Sequence, residues 1–449
     1  MRLQVDLKPL LSLLCLGAAV LLSASTAAQP DAGSETPWLN AFDQARSEQL
    51  IQAGQRQMQI GQFETAESIF LEAMQIAKVN FGLNSTQQQL ALEYAIDAQL
   101  ALGKWDQADN HLSYFEWLND EVYTRDFFDY LRGTEQLASL LLRASADTDN
   151  PLSVRYLIAA KNLNWRAVNG IEATLGESHP ELAQWLYNIV QIHFYQSSLL
   201  KRGGMSNTIY RNENDEEVSG WTLNLGDSMR ISYRIGKELL QRIEAIHEQA
   251  ETSPAESAAI AVIYQGDWEM LFGNQDDALR LYGRAYAKLI ESGLTTEQAD
   301  QLFARPTVIP ASELHTSFAA MTEEEAEGPL LFRAWTPNYP AAPLPSDHVA
   351  VNVGPSSQIT ALLRFDLHPL LPSNLISSGR TIRLGFNLAD LEVLNSSPDN
   401  ALVRERARRE VSLLQFRPKL KNGAPVQFEN IELEYRFAPQ YSNFRLSGN

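Results

Sequence analysis

The chain has 449 residues, of which 45% are hydrophobic, and carries a formal charge of −19. That apolar content excludes a wholly disordered chain, and the length calls for two or three domains rather than one. The negative charge excludes nucleic-acid binding and general adhesion to anionic lipid, because both need a basic surface. From Leu330 onward there are 13 Lys and Arg against 10 Asp and Glu, a balance of +3 that leaves −22 for the residues before it. An acidic front and a mildly basic tail point to two separately built parts.

Arg2 and Lys8 precede an apolar run from Leu10 to Leu22, and the small residues Ser25-Thr26-Ala27-Ala28 follow it. This is the layout of a secretory signal, so residues 1–28 are expected to be cleaved near Ala28 and the protein to work in the periplasm. If retained, the charge-free run from Pro9 to Gln29 is long enough to span a bilayer and anchor the chain. Cys15 is the only cysteine, and Leu14 before it does not suit lipid attachment. A mature chain without thiols uses neither disulfides nor cysteine chemistry.

Helical patterning starts at Trp38 and runs to about Ile76, divided by a turn at Gly61. Phe81-Gly82 closes that unit, and a second runs from Leu90 to Leu102, turns at Gly103 and continues through Trp105, Ala108 and Leu112. A five-residue pattern recurs far along the chain: Gly54, Gly61, Ala66, Phe70 and Ala73 share their spacing with Gly266, Gly273, Ala278, Tyr282 and Ala285. Small residues at these offsets let two helices approach closely around a short turn, and the aromatic fills the remaining hole. Such a hairpin cannot bury its apolar face alone, so stacked copies with a concave binding surface are expected. Phe81-Gly82-Leu83-Asn84-Ser85 also lines up with Leu175-Gly176-Glu177-Ser178-His179, each ahead of a fresh helix, the second from Leu182 to Tyr195.

These residues resemble the tetratricopeptide repeat, especially the longer variety of kinesin light chains, where a helix ends in aliphatic-Gly-x-x-His-Pro as in Leu175-Gly176-Glu177-Ser178-His179-Pro180. The resemblance covers most of residues 38–300 and implies an α-solenoid. Gln57 and Glu269 stand where the family has a tyrosine, and residues 120–160 follow the pattern poorly. Lys201 to Gly226, with Gly203-Gly204 and Ser219-Gly220, reads as a loop, either an inert insertion or a binding element. Helix is expected again from Met229 to His247, and a last repeat from Ala258 to Ile290.

Pro306, Pro310, the acidic run Glu323-Glu324-Glu325, Glu327 and Pro329 mark residues 301–334 as a linker. Pro337, Pro340, Pro343 and Pro345 then give an extended entry. Ile382, Leu384, Phe386 and Leu388 alternate with polar residues as a strand does, and Leu391 and Val393 continue in the opposite phase, which requires a bulge or turn near Ala389-Asp390. A helix is expected to start around Ser396 to Asp399, burying Val403, Ala407, Val411 and Leu414 and wetting Arg404, Arg406, Arg408 and Arg409. Asn422-Gly423 supplies a turn, and Ile431 to Phe437 is a final alternating strand. The result is a small α+β domain.

Residues 335–439 resemble the carboxy-terminal domain of TonB-type energy transducers. Tyr339-Pro340, Ser396-Ser397, Phe416-Arg417-Pro418, Asn422-Gly423, Pro425-Val426 and Tyr435-Arg436-Phe437 match that family's pattern in order, while Val349 to Leu375 has no counterpart. The resemblance implies a periplasmic protein-binding domain that pairs with partner strands. The long Pro-rich spacer of such transducers is lacking, so reuse for binding is expected rather than energy transduction.

His179 reads as a repeat turn, His247-Glu248 as a solvated helix face, and His193, beside Phe194 and Tyr195, as a packed, hydrogen-bonded residue rather than a general base. Asp276-Asp277 suits a helix start, where the dipole favours negative charge. No phosphate loop, nucleophile elbow or Ser-His-Asp pattern stands out, so no catalytic residue, metal or cofactor is assigned. Arg404, Arg408 and Arg409 are the candidate partner-binding residues: either an exposed helix face or a docking point for an acidic surface. The expected function is a periplasmic adaptor or scaffold of the cell envelope in a Gram-negative cell, with protein partners and no enzymatic activity. A membrane-anchored transducer, or an envelope enzyme with a site assembled between repeats, are the alternatives.

Overall fold

The computed structural model describes residues 44–123, 126–146, 152–201, 225–322, 329–333, 360–369 and 388–436. Its front part is a run of helices: α1 (Gln44–Gln59), α2 (Phe63–Phe81), α3 (Gln89–Ala101), α4 (Trp105–Tyr123), α5 (Phe127–Ala146), α6 (Ser153–Leu175), α7 (Leu182–Lys201), α8 (Leu225–Gln249), α9 (Ser257–Leu271), α10 (Gln275–Glu291) and the short α11 (Thr296–Gln301). From α1 to α10 every helix packs on the next, an arrangement compatible with a helical-repeat solenoid. The first helices of the early pairs also touch, α1 with α3 and α3 with α5.

The repeated five-residue pattern does the job its spacing implies. A Cβ added to Gly54 would lie 2.4 Å from the Phe70 ring, and one added to Gly266 would lie 2.6 Å from the Tyr282 ring. Each aromatic of a second helix thus packs directly against the glycine of the first, while Ala66, Ala73, Ala278 and Ala285 are fully buried alongside. Phe70 also stacks on Tyr94 of α3 at 5.2 Å, joining one pair to the next. Gly61, Gly103 and Gly273 turn the pairs with φ of +75°, +68° and +81°, a left-handed conformation that glycine adopts without steric cost. Gly82 and Gly176 end α2 and α6 in the same way, and nearby side chains then cap the next helix alike. The Gln87 N–H donates to Ser85 Oγ at 3.2 Å, and the Glu181 N–H donates to His179 Nδ1 at 3.2 Å. Residues 120–160, which follow the repeat pattern poorly, still contribute to a packed pair, α5–α6, because Leu137 and Leu141 on one helix and Tyr156 and Leu163 on the other supply a buried stripe.

After α11 come β1 (Val308–Ile309), the short α12 (Phe318–Thr322) and β2 (Leu330–Arg333). The rest is β3 (Thr360–Leu367), β4 (Leu388–Ser397), α13 (Ala401–Val411), β5 (Gln415–Phe416), β6 (Lys419–Lys421), β7 (Ala424–Val426) and β8 (Phe428–Arg436). The main sheet has the order β2-β8-β3-β4, with β2 parallel to β8 and the other pairings antiparallel. Ala361, Leu363, Phe365 and Leu367 of β3 and Ile431, Leu433 and Tyr435 of β8 form its buried face, against which α13 packs Val403, Ala407 and Val411. Full burial of each larger apolar side chain contributes about 1.5–3 kcal/mol before chain entropy is subtracted.

The phase change foreseen near Ala389-Asp390 is a bulge. Arg364 pairs with Glu392 but Asp366 with Ala389, so two residues of β4 oppose one of β3, and Asp390 adopts a φ of +52°. Asn422 and Gly423, both at positive φ, turn β6 into β7. The α13 cap is Asn400, whose side chain accepts from the Leu402 N–H. The strand β3 lies within the segment 349–375, which has no counterpart in the resembled family. The strand expected over 382–387, Tyr339-Pro340, the acidic run 323–325, the loop 202–224 and the leader 1–28 lie outside the described residues.

One segment differs from its sequence reading. Residues 301–334 read as a linker, but 301–322 are built into the fold: Leu302, Phe303, Ile309 and Leu314 join the core formed by α7 to α10. The prolines there punctuate an extended strap that crosses packed helices, which composition alone cannot tell from a solvated spacer.

Candidate functional site

The strap from Thr307 to Phe318 shows what the first-helix face can do. Tyr187 of α7 donates its hydroxyl to the Ala311 carbonyl at 2.8 Å, and Gln191, one turn on, donates Nε2 to the carbonyls of Ala311 and Ser312 at 2.6 and 3.0 Å. Gln184, one turn earlier, accepts from the Leu314 N–H at 3.3 Å. From α9, the Tyr264 hydroxyl donates to the Glu313 carbonyl at 3.1 Å and accepts from the His315 N–H at 2.9 Å. Ser257 Oγ donates to the Thr316 carbonyl at the start of that helix, and Glu256 accepts from the Phe318 N–H at 2.9 Å. Two helices therefore hold the stretch from Ala311 to Phe318 largely through its main chain, while Ile309, Pro310 and Leu314 of the strap are buried. A grip of this kind satisfies strap groups that no ladder satisfies and reads little of the strap's own sequence.

Burial keeps the hydroxyl donors neutral. It raises Tyr187 well above the ordinary tyrosine range, helped by Tyr264 and Asp267, and pushes Tyr264 up to about 12.

A second grip lies beside the first. Arg417, from Phe416-Arg417-Pro418, makes a two-pronged ion pair with Asp267 of α9, Nε to Oδ1 at 3.0 Å and Nη2 to Oδ2 at 2.5 Å, with side-chain exposures of 2% and 4%. Tyr282 donates to Asp267 Oδ1 at 2.8 Å, the Tyr264 ring lies 5.2 Å from the guanidinium carbon, and the Arg417 N–H donates to the Thr307 carbonyl at 2.9 Å. Burial alone would lower the Arg417 pKa, but the Asp267 carboxylate and its hydrogen bonds outweigh it and hold the group charged. The Asn422 N–H donates to Asp300 Oδ1 at 2.8 Å, and Leu420 enters the helical core, so the sheet region and the helices interlock. The sheet region keeps a hydrophobic core of its own and is joined to the helices through Arg417, Leu420 and Asn422.

In the front pairs the equivalent face is differently furnished. Aligning Ser85 with His179 brings Leu90, Glu93 and Asp97 of α3 to the positions of Gln184, Tyr187 and Gln191. Leu90 is 44% exposed, and both carboxylates are half-buried. Arg143 of α5 donates to Asp97 Oδ2 at 3.0 Å and to Glu93 Oε1 at 3.4 Å. Burial raises both carboxyls against the pull of Arg143, and Glu93 adds to the rise of Asp97, which reaches about 6.

The residues singled out in the sequence fall elsewhere. Arg408 and Arg409 are exposed on α13, Arg404 pairs with Asp399 at 2.5 Å, and none of the three lies on the first-helix face. Arg406, expected on the wet side, is largely covered and pairs with Glu410 at 2.8 Å, next to the buried Tyr435 hydroxyl. His179 serves as a cap. His193 is buried, with Nδ1 3.4 Å from Ser232 Oγ, and burial and Lys161 lower its pKa to about 4. His247, expected to be solvated, is buried with Nδ1 2.9 Å from Ser253 Oγ, because the chain folds back over it after α8. Asp277 lies in the first turn of α10 and pairs with Arg280. Glu269, in the family's tyrosine position, is buried and accepts from Tyr233, Lys237 and Asn274, so the neighbouring helix supplies the aromatic.

Among the described residues no group of three or more His, Cys, Asp or Glu is placed to hold a metal ion, and no helix is long and apolar enough to cross a membrane. The gripping residues of α7 and α9 escaped the sequence reading, although one signal was present. Ala258-Ala259-Ile260-Ala261-Val262-Ile263-Tyr264 is apolar on every side, and such a helix must be covered on every side. No family model matches the chain, and no curated protein matches it either.

Proposed function

We propose that the protein is a non-enzymatic adaptor of the cell envelope, whose first-helix face binds extended segments of partner proteins. The observation that carries this reading is the strap: α7 and α9 hold Ala311 to Phe318 by main-chain hydrogen bonds from six side chains. A surface that holds one extended chain so is chemically equipped to hold another. In this reading the helices are a divergent tetratricopeptide-like array, supported by the recurrent Gly-Gly-Ala-aromatic-Ala pairs. The sheet region is a TonB-like domain, supported by Phe416-Arg417-Pro418, the Asn422-Gly423 turn and the closing strand, and it binds a second partner through a strand. The leader pattern of residues 1–28 supports export to the periplasm.

Affinity capture from an envelope extract tests the adaptor reading, with the whole chain as bait and the same chain carrying Leu90→Glu as control. The reading expects proteins retained by the first bait and lost from the second. Retention of the same proteins by both baits, or of none by either, overturns it.

A further inference from the structure

Granting the adaptor reading, on which this inference rests, the α3 face also specifies the chemistry of its ligand. Asp97 stands six residues before the turn glycine Gly103, Asp267 stands six before Gly273, and Gln191 follows His179 by the same interval that separates Asp97 from Ser85. Gln55, six residues before Gly61, is a fourth equivalent position and donates to the Tyr94 hydroxyl within the stack, whereas two of the four meet an incoming extended chain. Gln191 holds the strap carbonyls, and Asp267 takes the guanidinium of Arg417 from the segment joining β5 to β6.

At the Asp97 position two carboxylates share one guanidinium. Arg143 engages Asp97 Oδ2 and Glu93 Oε1, and Asp97 Oδ1 and Glu93 Oε2 have no protein donor among the described residues. Their spare acceptors lie in a partly desolvated setting, where opposite charge counts for more than at an open surface. Also on α5, the Glu135 carboxyl is raised by burial and then by Glu181 and by Glu313 of the strap. Leu90, exposed at the position of Gln184, adds an apolar contact.

We infer that the α3–α5 face binds an extended partner peptide carrying an arginine, whose guanidinium sits against Glu93 and Asp97 while an adjacent apolar side chain covers Leu90. Arginine suits the site better than lysine because its planar fork can reach two carboxylates at once. The acidic front of the chain favours encounter with a basic segment.

The test is fluorescence anisotropy with the full chain and a fluorescein-labelled peptide of the sequence 413–421, which presents Phe416 and Arg417 in an extended stretch. Its counterpart with citrulline in place of the arginine removes the charge and leaves the protein untouched. The expected result is binding weakened about tenfold by citrulline, and by a similar factor in Glu93→Gln, corresponding to about 1.4 kcal/mol. Asp97→Asn should act in the same direction, and Glu93→Gln keeps the test decisive if that variant does not fold. Equal binding of both peptides overturns the arginine assignment and leaves the adaptor reading standing. Undiminished binding to Glu93→Gln overturns the placement. Failure of both peptides to bind overturns the inference, while capture from envelope extract judges the adaptor reading independently.

Discussion

Helices α3 and α9 begin the same kind of pair and carry an aspartate at the same place, yet every residue of α9 is buried while the Glu93 and Asp97 side chains of α3 stay about one-fifth exposed. The difference arises on the carboxy-terminal side of α10. There the strap and the sheet region return over the first helices and turn a surface into an interior. In the front pairs the equivalent side chains stay at the surface. One repeat position therefore holds a buried aspartate paired with Arg417 in one pair and a partly exposed aspartate paired with Arg143 in another, and the residues around it differ accordingly. Apolar residues all round mark the covered helix, and Glu93 with Asp97 mark the uncovered one.

The widest gap between the two regions is expected at their ion pairs. Arg417→Ala leaves Asp267 charged and buried, and should cost about 3–5 kcal/mol in a urea titration. Arg143→Ala, in a pair about one-fifth exposed, should cost about 1 kcal/mol or less. Equal costs would mean that the sheet region is not locked onto α9.

The two glycine contacts come next. Gly266→Ala presses on a Tyr282 ring pinned by its bond to Asp267, and should lose about 1–3 kcal/mol by thermal denaturation. Gly54→Ala presses on Phe70, which belongs to a small cluster with Ala66 and Ala95 and is freer to shift, so its loss should be smaller.

Much of this was legible in the residues themselves. Gly61, Gly103 and Gly273 reported turns because their conformation disfavours side chains, and alternating Ile431 to Tyr435 reported a strand because its period is fixed by the backbone. The strap was not legible. Its fixation depends on Gln184, Tyr187 and Tyr264, which come from distant helices, and a main-chain grip leaves no signature in the segment that is held. Arg417 carried no mark of its role either, since a lone arginine reads as surface until its aspartate is placed beside it.

His193 gives a pH signature to the region near α8. Its pKa, near 4 in the fold against 6.5 unfolded, lets the unfolded chain bind more protons between those values. Stability is therefore complete above pH 6.5 and is lost as pH falls toward 4, by about 2 kcal/mol on reaching pH 5. Asp97, raised to about 6, works with the opposite sign, its contribution disappearing as pH rises through that value. Comparing wild type with His193→Gln at pH 7 and pH 5 cancels the Asp97 effect, and the variant should lose less on acidification. An equal loss would refute the assignment.

The smallest effects sharpen the comparison at single side chains. Tyr187→Phe removes one of two donors to the Ala311 carbonyl, and with Gln191 still in place it should cost about 1 kcal/mol. Glu93→Gln, at the equivalent position, should leave the unfolding midpoint within about 0.5 kcal/mol of wild type. A larger loss there would make the front face a structural seam.

The most direct measurement places a photoreactive residue at either of two equivalent positions, 90 on α3 and 184 on α7, in the whole chain and irradiates it in an envelope extract. Position 184 should cross-link within the chain to residues 311–318, and position 90 should yield adducts with other proteins. Partner adducts from 184 without the internal cross-link, or none from 90, would contradict the division of the stack into a covered and a binding half.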